Sequence, residues 1–426
     1  MAGIIEEGHK VLIRMPSNNC KIIHLKSANL KITLGKFGQF NAASLIGRPF
    51  NAAYDILPSG ELEMVDPTES IDITIDAEED AGNNNSYLVA RTDSQKLSKE
   101  DIEQRKQEAL DGHLDSKALI KDLVENSTSF EGKTAFAKQK YIRRKERKFS
   151  KKFEALEPSA RNLCEYYFTT KPQKTRGVRI DTLSQLMCLG NVMANSNILI
   201  SDSVGGLLVG GLLERMTFGD MDLGGRLFAL LDGDTSNFDV VKDMNFKEGV
   251  VDRVLDTLPW TRIDPSSHEV EPLPTPDSTD EAVLLRHAKR VESIAKANAL
   301  RAKLSEAAFD GLILASQFDP LETIERLAKY VGYSRPVVVF SQYKETLVPA
   351  YLMMRASPDY LNAQISETMT REYQVPVSGL GTHPFMQASG SGGFILTATR
   401  VFAGDCAAAS NNTSNKHAQP TKRRKL

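Results

Sequence analysis

Cysteine is scarce in this chain. Cys20, Cys164, Cys188 and Cys406 are its four, widely separated and in no CxxC or Cys/His spacing. That gives no support to a structural zinc site and fits reduced thiols in a cytosolic or nuclear protein. Long hydrophobic runs are also missing. The most apolar stretch, Ile198 to Leu213, is broken by Ser, Asp and several glycines, so it does not read as a membrane span. The N-terminus MAGIIEEGHK is charged within six residues and has no apolar core, so we expect no signal peptide. Neither sign of charge is in excess: 53 Lys+Arg against 55 Asp+Glu leave only the distribution of charge to speak for or against nucleic acid. The seven histidines are scattered, and no Ser/His/Asp or Cys/His constellation is suggested by order or spacing. The expectation is a soluble intracellular protein of two or three domains, since 426 residues exceed one ordinary core.

What is there divides into four stretches. Residues 1–95 read as short strands with turn signals: Val11 to Ile13, Lys21 to Lys26, Leu30 to Leu34, Ala53 to Leu57, Glu61 to Val65 and Ile71 to Ile75. Strands this short and closely spaced suggest a small β-barrel or sandwich, with Asp80 to Ser86 as a polar loop. Residues 96–160 form a helical, basic connector. Ser98 and Asp101 resemble a capping box before a helical stretch to about Glu125, and a second runs from Lys133 to Phe153. From residue 161 to 402, apolar β runs alternate with helical patterns, which implies βαβ units and a mainly parallel sheet. The β runs are Asn197 to Asp202, Leu227 to Asp232, Gly311 to Ala315 and Pro336 to Phe340. Tyr373 to Val377 and Gly393 to Val401 are expected to form an antiparallel pair.

An insertion at about 261–309 interrupts this alternation. A Pro- and acid-rich loop, residues 264–280, precedes a helix predicted from Glu281 to Phe309, with Leu284, Ala288, Val291, Ala295, Ala299 and Ala302 on one face. Residues 403–426 read as a disordered tail. Its cluster Lys422, Arg423, Arg424 and Lys425 looks like a nuclear localisation signal, so the nucleus is the expected location.

The first strand-turn-helix of the α/β region is NILISDSVGGLLVGGLLERM, Asn197 to Met216. A cofactor-binding methyltransferase places an acid at the end of this strand and then a GxGxG turn, whose glycines allow positive φ and a close backbone approach to the ligand. Aligning Gly206 with the last glycine puts Val204 and Asp202 on the other two, with Ile200 where the acid would stand. A β-branched residue at positive φ is an outlier, and strain of that kind costs about 1–3 kcal/mol. Asp202 would also set a negative charge beside the anionic end of S-adenosylmethionine. Asp232 still stands where such enzymes hold ribose hydroxyls, though a solvated acid at a strand end explains it equally well. In DGLILASQFDP, Asp310 to Pro320, we read Asp319 as a helix N-cap and Pro320 as the first helical residue.

The strongest charge feature is KTAFAKQKYIRRKERKFSKK, Lys133 to Lys152. Lys138, Lys140, Arg143, Arg144, Lys145, Arg147, Lys148, Lys151 and Lys152 are relieved by Glu146 alone, a stripe able to neutralise phosphates. The interleaved Phe136, Tyr141 and Phe149 either anchor the helix or stack on unpaired bases; anchoring is the preferred reading. Lys171, Lys174, Arg176 and Arg179 add a second, shorter basic patch.

Five segments together resemble one known family: NSTSFEGKTAFAKQKY (Asn126 to Tyr141), RNLCEYYF (Arg161 to Phe168), RIDTLSQLM (Arg179 to Met187), ILISDSVGGLLVGGLLERM (Ile198 to Met216) and THPFMQASGSGGFILTATRV (Thr382 to Val401). This family is the non-catalytic subunit of eukaryotic tRNA (adenine-58) N1-methyltransferase, and the likeness runs from the N-terminal strands to Val401 except over 261–308. The resemblance implies an N-terminal barrel-like domain followed by a Rossmann-like methyltransferase domain. It implies a homologous catalytic partner that holds S-adenosylmethionine, two of each subunit, and tRNA presented by its T-loop adenine. It also makes Asn126 to Tyr141, with Lys133, Lys138, Lys140 and Tyr141, the segment around Arg179, and the Thr382 to Gly393 loop RNA contacts. His383 in that loop either touches a phosphate or is a plain loop histidine.

The sequence therefore predicts a subunit without catalytic residues, cofactor or metal of its own. Two rival readings stay open: an active methyltransferase with an unusual loop, and an RNA-binding factor with no methyltransferase partner.

Overall fold

The computed structural model describes residues 3–57, 59–66, 96–110, 116–130, 133–218, 223–264, 280–306, 308–375 and 382–401. The expected strand Ile71 to Ile75, the Asp80 to Ser86 loop, most of the 264–280 loop and the basic tail lie outside these residues. Among the described residues no helix is long and apolar enough to cross a membrane, and no His/Cys/Asp/Glu group is arranged to hold a metal. The chain divides into two compact units. One comprises Met1–Thr175, Phe238–Lys247 and Met369–Gly390; the other comprises Arg176–Asn237, Glu248–Thr368 and Ser391–Leu426.

In the first unit, β1 (Lys10–Arg14), β2 (Cys20–His24), β5 (Ala52–Ile56), β6 (Leu62–Val65) and β7 (Phe153–Leu156) form an antiparallel sheet of order β2-β1-β7-β5-β6. The pair β3 (Lys31–Thr33) and β4 (Gln39–Asn41) contributes Ile32 and Phe40 to the same core. Phe40 stacks on Phe153 at 5.1 Å, and the buried Tyr54 hydroxyl is satisfied by the Pro49 carbonyl at 2.8 Å. The central strand β7 differs from the sequence expectation, which ran a helix to Phe153 and closed the first domain at residue 95. Lys151 and Lys152 prolong the charged helical pattern, and four residues are too short to announce a strand. The helical stretch 96–149 is thus an excursion between two strands of one sheet, rather than a connector following a finished domain.

That excursion holds α1 (Lys99–Leu110), α2 (Ser116–Glu125) and α3 (Ala135–Phe149), where one helical stretch was expected up to Glu125. Ser98 and Asp101 form the predicted capping box: Asp101 N–H donates to Ser98 Oγ at 3.0 Å, and Ser98 N–H donates back to the Asp101 carboxylate at 3.1 Å. Two small apolar clusters, Leu119 with Leu123 and Ile120 with Val124 and Ile142, hold the helices together. Then come α4 (Ala160–Thr170), the short α7 (Asp239–Asp243), and a hairpin of β14 (Tyr373–Gln374) with β15 (His383–Pro384).

The second unit is built on a seven-stranded sheet: β8 (Asn197–Asp202), β9 (Arg226–Leu231), β10 (Leu255–Pro259), β11 (Gly311–Ala315), β12 (Arg335–Ser341), β13 (Tyr360–Glu367) and β16 (Phe394–Arg400). The order is β10-β9-β8-β11-β12-β16-β13; the first five run parallel, and β16 runs against both its neighbours. Strands buried on both faces explain the unbroken apolar runs that marked β8 and β11 in sequence. The helices are α5 (Ile180–Leu189), α6 (Leu207–Thr217), α8 (Val250–Val254), α9 (Glu281–Glu306), α10 (Pro320–Leu327) and α11 (Lys344–Ala356). Successive strands leave β8 in opposite directions, toward β9 and toward β11, so the loops after β8 and β11 flank the switch point where α/β sheets bind ligands.

Two expectations about this part are corrected. Of the strand expected over Tyr373 to Val377, whose last two residues lie outside the described ones, Tyr373–Gln374 pairs with His383–Pro384, while Phe394–Arg400 fills the gap between β12 and β13. The buried face of α9 is Ala297, Leu300, Arg301 and Leu304, whereas Leu284 is 40% exposed and Ala288, Ala295, Ala299 and Ala302 face solvent. Leucines and the arginine's aliphatic stem bury more apolar surface than a row of alanines, so they win the core-facing side.

Candidate nucleotide loop and nucleic-acid interface

The strand β8 ends on Asp202, which is only 7% exposed, and the chain reaches α6 through Ser203, Val204, Gly205 and Gly206. The turn takes its positive φ at Gly205 (73°) and Gly206 (83°). Val204 is not among the positive-φ residues and is packed at 1% exposure, so the strain expected there is absent. The loop has shifted its glycines instead of forcing a β-branched residue into their role.

The fault for a cofactor lies in Asp202. Its Oδ1 accepts the N–H groups of Val204 (2.7 Å) and Gly206 (3.1 Å), and its Oδ2 accepts that of Val209 (2.9 Å). The donors that a helix N-terminus offers to an anionic ligand are thereby taken from within. Burial pushes the Asp202 carboxyl up from the ordinary carboxylate range, while the three N–H groups pull it back. Ser203 Oγ donates to Asp232 Oδ2 and accepts the Gln317 N–H at 2.9 Å, so the residue expected to hold a ribose is tied to the loop as well. Burial raises the Asp232 carboxyl, opposed by the Ser203 hydroxyl and by the Arg176 charge. These residues do not fit the amino-acid end of S-adenosylmethionine: its carboxylate would meet a carboxylate where it needs donors. An Asp four residues before Gly206 was the available signal, but the sequence reading gave it a repulsive role and missed its capping role and Ser203.

The basic helix is laid out cleanly. On α3, Lys140, Arg143, Arg144, Arg147 and Lys148 are exposed, at the i, i+3, i+4, i+7 and i+8 spacing that defines one helix face. Lys140, Arg143, Arg144 and Arg147 have no acidic partner among the described residues. The opposite face carries Ile142, 6% exposed, with half-buried Lys138, Tyr141, Lys145 and Phe149. Tyr141 leans on Phe130 at 5.7 Å and both rings join the small cores, which is the anchoring role. Phe136 has no described side chain. Lys145 Nζ lies 5.1 Å from the Tyr141 ring centre and 5.9 Å from that of Phe149. Lys133 is turned inward: Nζ donates to Ser129 O and Oγ at 2.7 and 2.6 Å, and burial lowers its pKa. Thr134 caps the helix through the Ala137 N–H.

Two members of the second basic patch, Arg179 and Lys174, are tied up by neighbouring groups, while Lys171 is exposed and Arg176 half-buried. Arg179 is 7% exposed; its guanidinium grips both oxygens of Asp181 at 2.6 and 2.8 Å and donates to the Thr368 carbonyl at 2.9 Å. It is a buried fastener and not an accessible RNA contact. Lys174 pairs with Asp239 at 2.9 Å and lies over the Tyr167 ring, whose hydroxyl donates to Asp243 at 2.7 Å. Thr182 Oγ1 donates to the Gly392 carbonyl at 2.7 Å, so part of the expected Thr382 to Gly393 RNA loop is packed instead. His383 stands exposed on the β15 strand of its hairpin. Asp319 and Pro320 take the predicted N-cap and N1 places, Asp319 accepting the Glu322 N–H at 3.0 Å.

The chain is similar to known proteins over most of its length. The profile described as the Gcd10p family matches residues 4–285. The tRNA (adenine(58)-N(1))-methyltransferase non-catalytic subunit TRM6 of Kluyveromyces lactis is 30% identical over 421 residues, covering 93% of this chain and 87% of its own. The protein of the same name from Mus musculus is 28% identical over 423 residues, covering 85% and 82%. Among solved structures, a SAM-dependent O-methyltransferase from Thermotoga maritima superposes with a TM-score of 0.50 at 10% identity, over 94% of this chain and 95% of that one. That likeness shows the Rossmann-like methyltransferase fold alone. The chain belongs to the Gcd10p family.

Proposed function

We propose that this chain is the non-catalytic, tRNA-binding subunit of a tRNA N1-adenine methyltransferase complex acting on the T-loop adenine at position 58. A homologous catalytic subunit, two of each in the complex, holds S-adenosylmethionine and transfers the methyl group. The observation that carries this reading is the Asp202 carboxylate seated on the N–H groups of Val204, Gly206 and Val209. The function named for the Kluyveromyces lactis and Mus musculus relatives supports it.

The contribution of this subunit is positional. Lys140, Arg143, Arg144, Arg147 and Lys148 of α3 neutralise backbone phosphates and release counterions, with Lys138, Lys145 and Tyr141 stiffening the helix beneath them. His383 adds a contact from the β14–β15 hairpin. The tail residues Lys422 to Lys425 direct the complex to the nucleus.

The test is reconstitution. The chain is purified alone, its homologue with an intact glycine loop is purified alone, and the two are co-expressed; each is assayed for methyl transfer to unmodified tRNA. Transfer by the pair and none by this chain is the expected result. Methylation of adenine 58 by this chain alone would overturn the proposal, as would full activity of the homologue without it.

A further inference from the structure

Beyond the ends of β11 and β12, within the second unit, lies a cavity of about 170 Å³. A cavity of about 150 Å³ is enough to hold a benzene ring, so this one has the size for a single planar ring system. Its lining is mixed, with Leu314 and Val339 from the strands beside Ser316, Thr323, Ser341 and Thr346. One wall is Phe318, an aromatic left 39% exposed and braced from behind by Trp260, ring to ring at 5.6 Å and 78°. At the rim stands Arg176, half-buried, with no hydrogen-bond or ion-pair partner among the described residues and with φ at +50°. A non-glycine residue held there is strained by about 1–3 kcal/mol, and such strain clusters at ligand clamps. Asp319 caps α10 with Oδ1 and offers a second carboxylate oxygen at the rim.

A flat aromatic wall, a guanidinium and a hydrogen-bonding rim are what an unstacked nucleotide requires. We propose that this cavity takes one such nucleotide, the base against Phe318, its amino-bearing edge toward Asp319 and its phosphate on Arg176. For the full complex this rests on the tRNA-binding reading, because the nucleotide would then be one extruded from the bound RNA.

The test separates the two. Labelled AMP, adenosine and UMP are dialysed against the full chain and against Phe318→Ala, Gln317→Trp and Arg176→Gly. Gln317→Trp fills the mouth from an exposed position, and Arg176→Gly accepts the positive φ, so both keep the fold. In parallel, tRNA is photocrosslinked to each protein and the adducts are mapped. We expect millimolar or tighter binding of AMP, weaker binding of UMP, at least a tenfold loss in Phe318→Ala and Gln317→Trp, and equal affinity for AMP and adenosine in Arg176→Gly. A crosslink at Phe318 completes that result. No AMP binding at millimolar concentration, with crosslinks confined to α3, would overturn the cavity proposal and leave RNA binding intact. AMP binding that disappears in the variants, with no tRNA binding, would support the cavity and overturn the RNA reading.

Discussion

Asp202 Oδ2 accepts the backbone N–H of Val209, seven residues further along the chain, at 2.9 Å. Together with the two bonds to Oδ1, this makes the carboxylate an internal anion for the first turn of α6. The donors at the start of α6 are thus occupied by the chain's own side chain.

Asp202→Ala should therefore destabilise the second unit by about 2–3 kcal/mol, the range for a lost cap with buried N–H groups left unpaired. Denaturant titration measures it; a loss near zero would mean the bonds contribute little. Asp202→Asn gives the pH test. Because burial raises the Asp202 carboxyl in the folded state, the folded protein binds more protons than the unfolded one between the ordinary and the raised value. Wild-type stability relative to Asp202→Asn should fall as pH rises through that window and level off above it. A rise over the same window would contradict the assignment.

The α3 stripe makes a salt-dependent prediction. Replacing Arg143, Arg144 and Arg147 with Ala leaves Ile142 and Tyr141 in place, so the helix stays packed. tRNA affinity should drop, and the slope of log K against log salt should flatten by about 0.7–0.9 for each phosphate no longer neutralised. Filter binding at several salt concentrations reads both. Unchanged affinity and slope would move the RNA elsewhere.

Arg179 separates fastening from binding. Arg179→Ala strands Asp181 and the Thr368 carbonyl and should lower stability by about 3 kcal/mol, the usual scale for breaking a buried pair. Affinity for tRNA, measured well below the unfolding transition, should stay within error. A selective loss of tRNA affinity with normal stability would restore Arg179 to the interface.

The sequence showed those features whose signal is local. β8 and β11 are bounded by polar turns and buried on both faces, so their limits were read to the residue. The capping box at Ser98 and the N-cap at Asp319 are short-range chemistry and stand as expected. What escaped depends on distant partners. Strand β7 exists because β1 and β5 flank it, and the site of Arg179 is set by Thr368, 189 residues away. The resemblance made the Thr382 to Gly393 loop an RNA contact, yet a Cβ on Gly392 would stand 2.5 Å from Thr368 Oγ1 and 2.7 Å from Thr182 Oγ1. Gly392 and Gly393, where a Cβ would also meet the Phe340 ring at 2.5 Å, serve close packing. At the nucleotide loop the misplaced acid was legible but its bonding was not. Sequence showed an acid out of place, and only the fold turns its oxygens inward onto three N–H groups.

If this chain holds no methyl donor of its own, equilibrium dialysis of labelled S-adenosylmethionine against the purified chain shows it most directly. With the Asp202 carboxylate on the loop donors, no binding should be detected up to millimolar cofactor, while the homologous catalytic subunit binds under the same conditions. Saturable micromolar binding by this chain alone would mean the loop opens to admit the ligand, and would contradict the proposed division of labour.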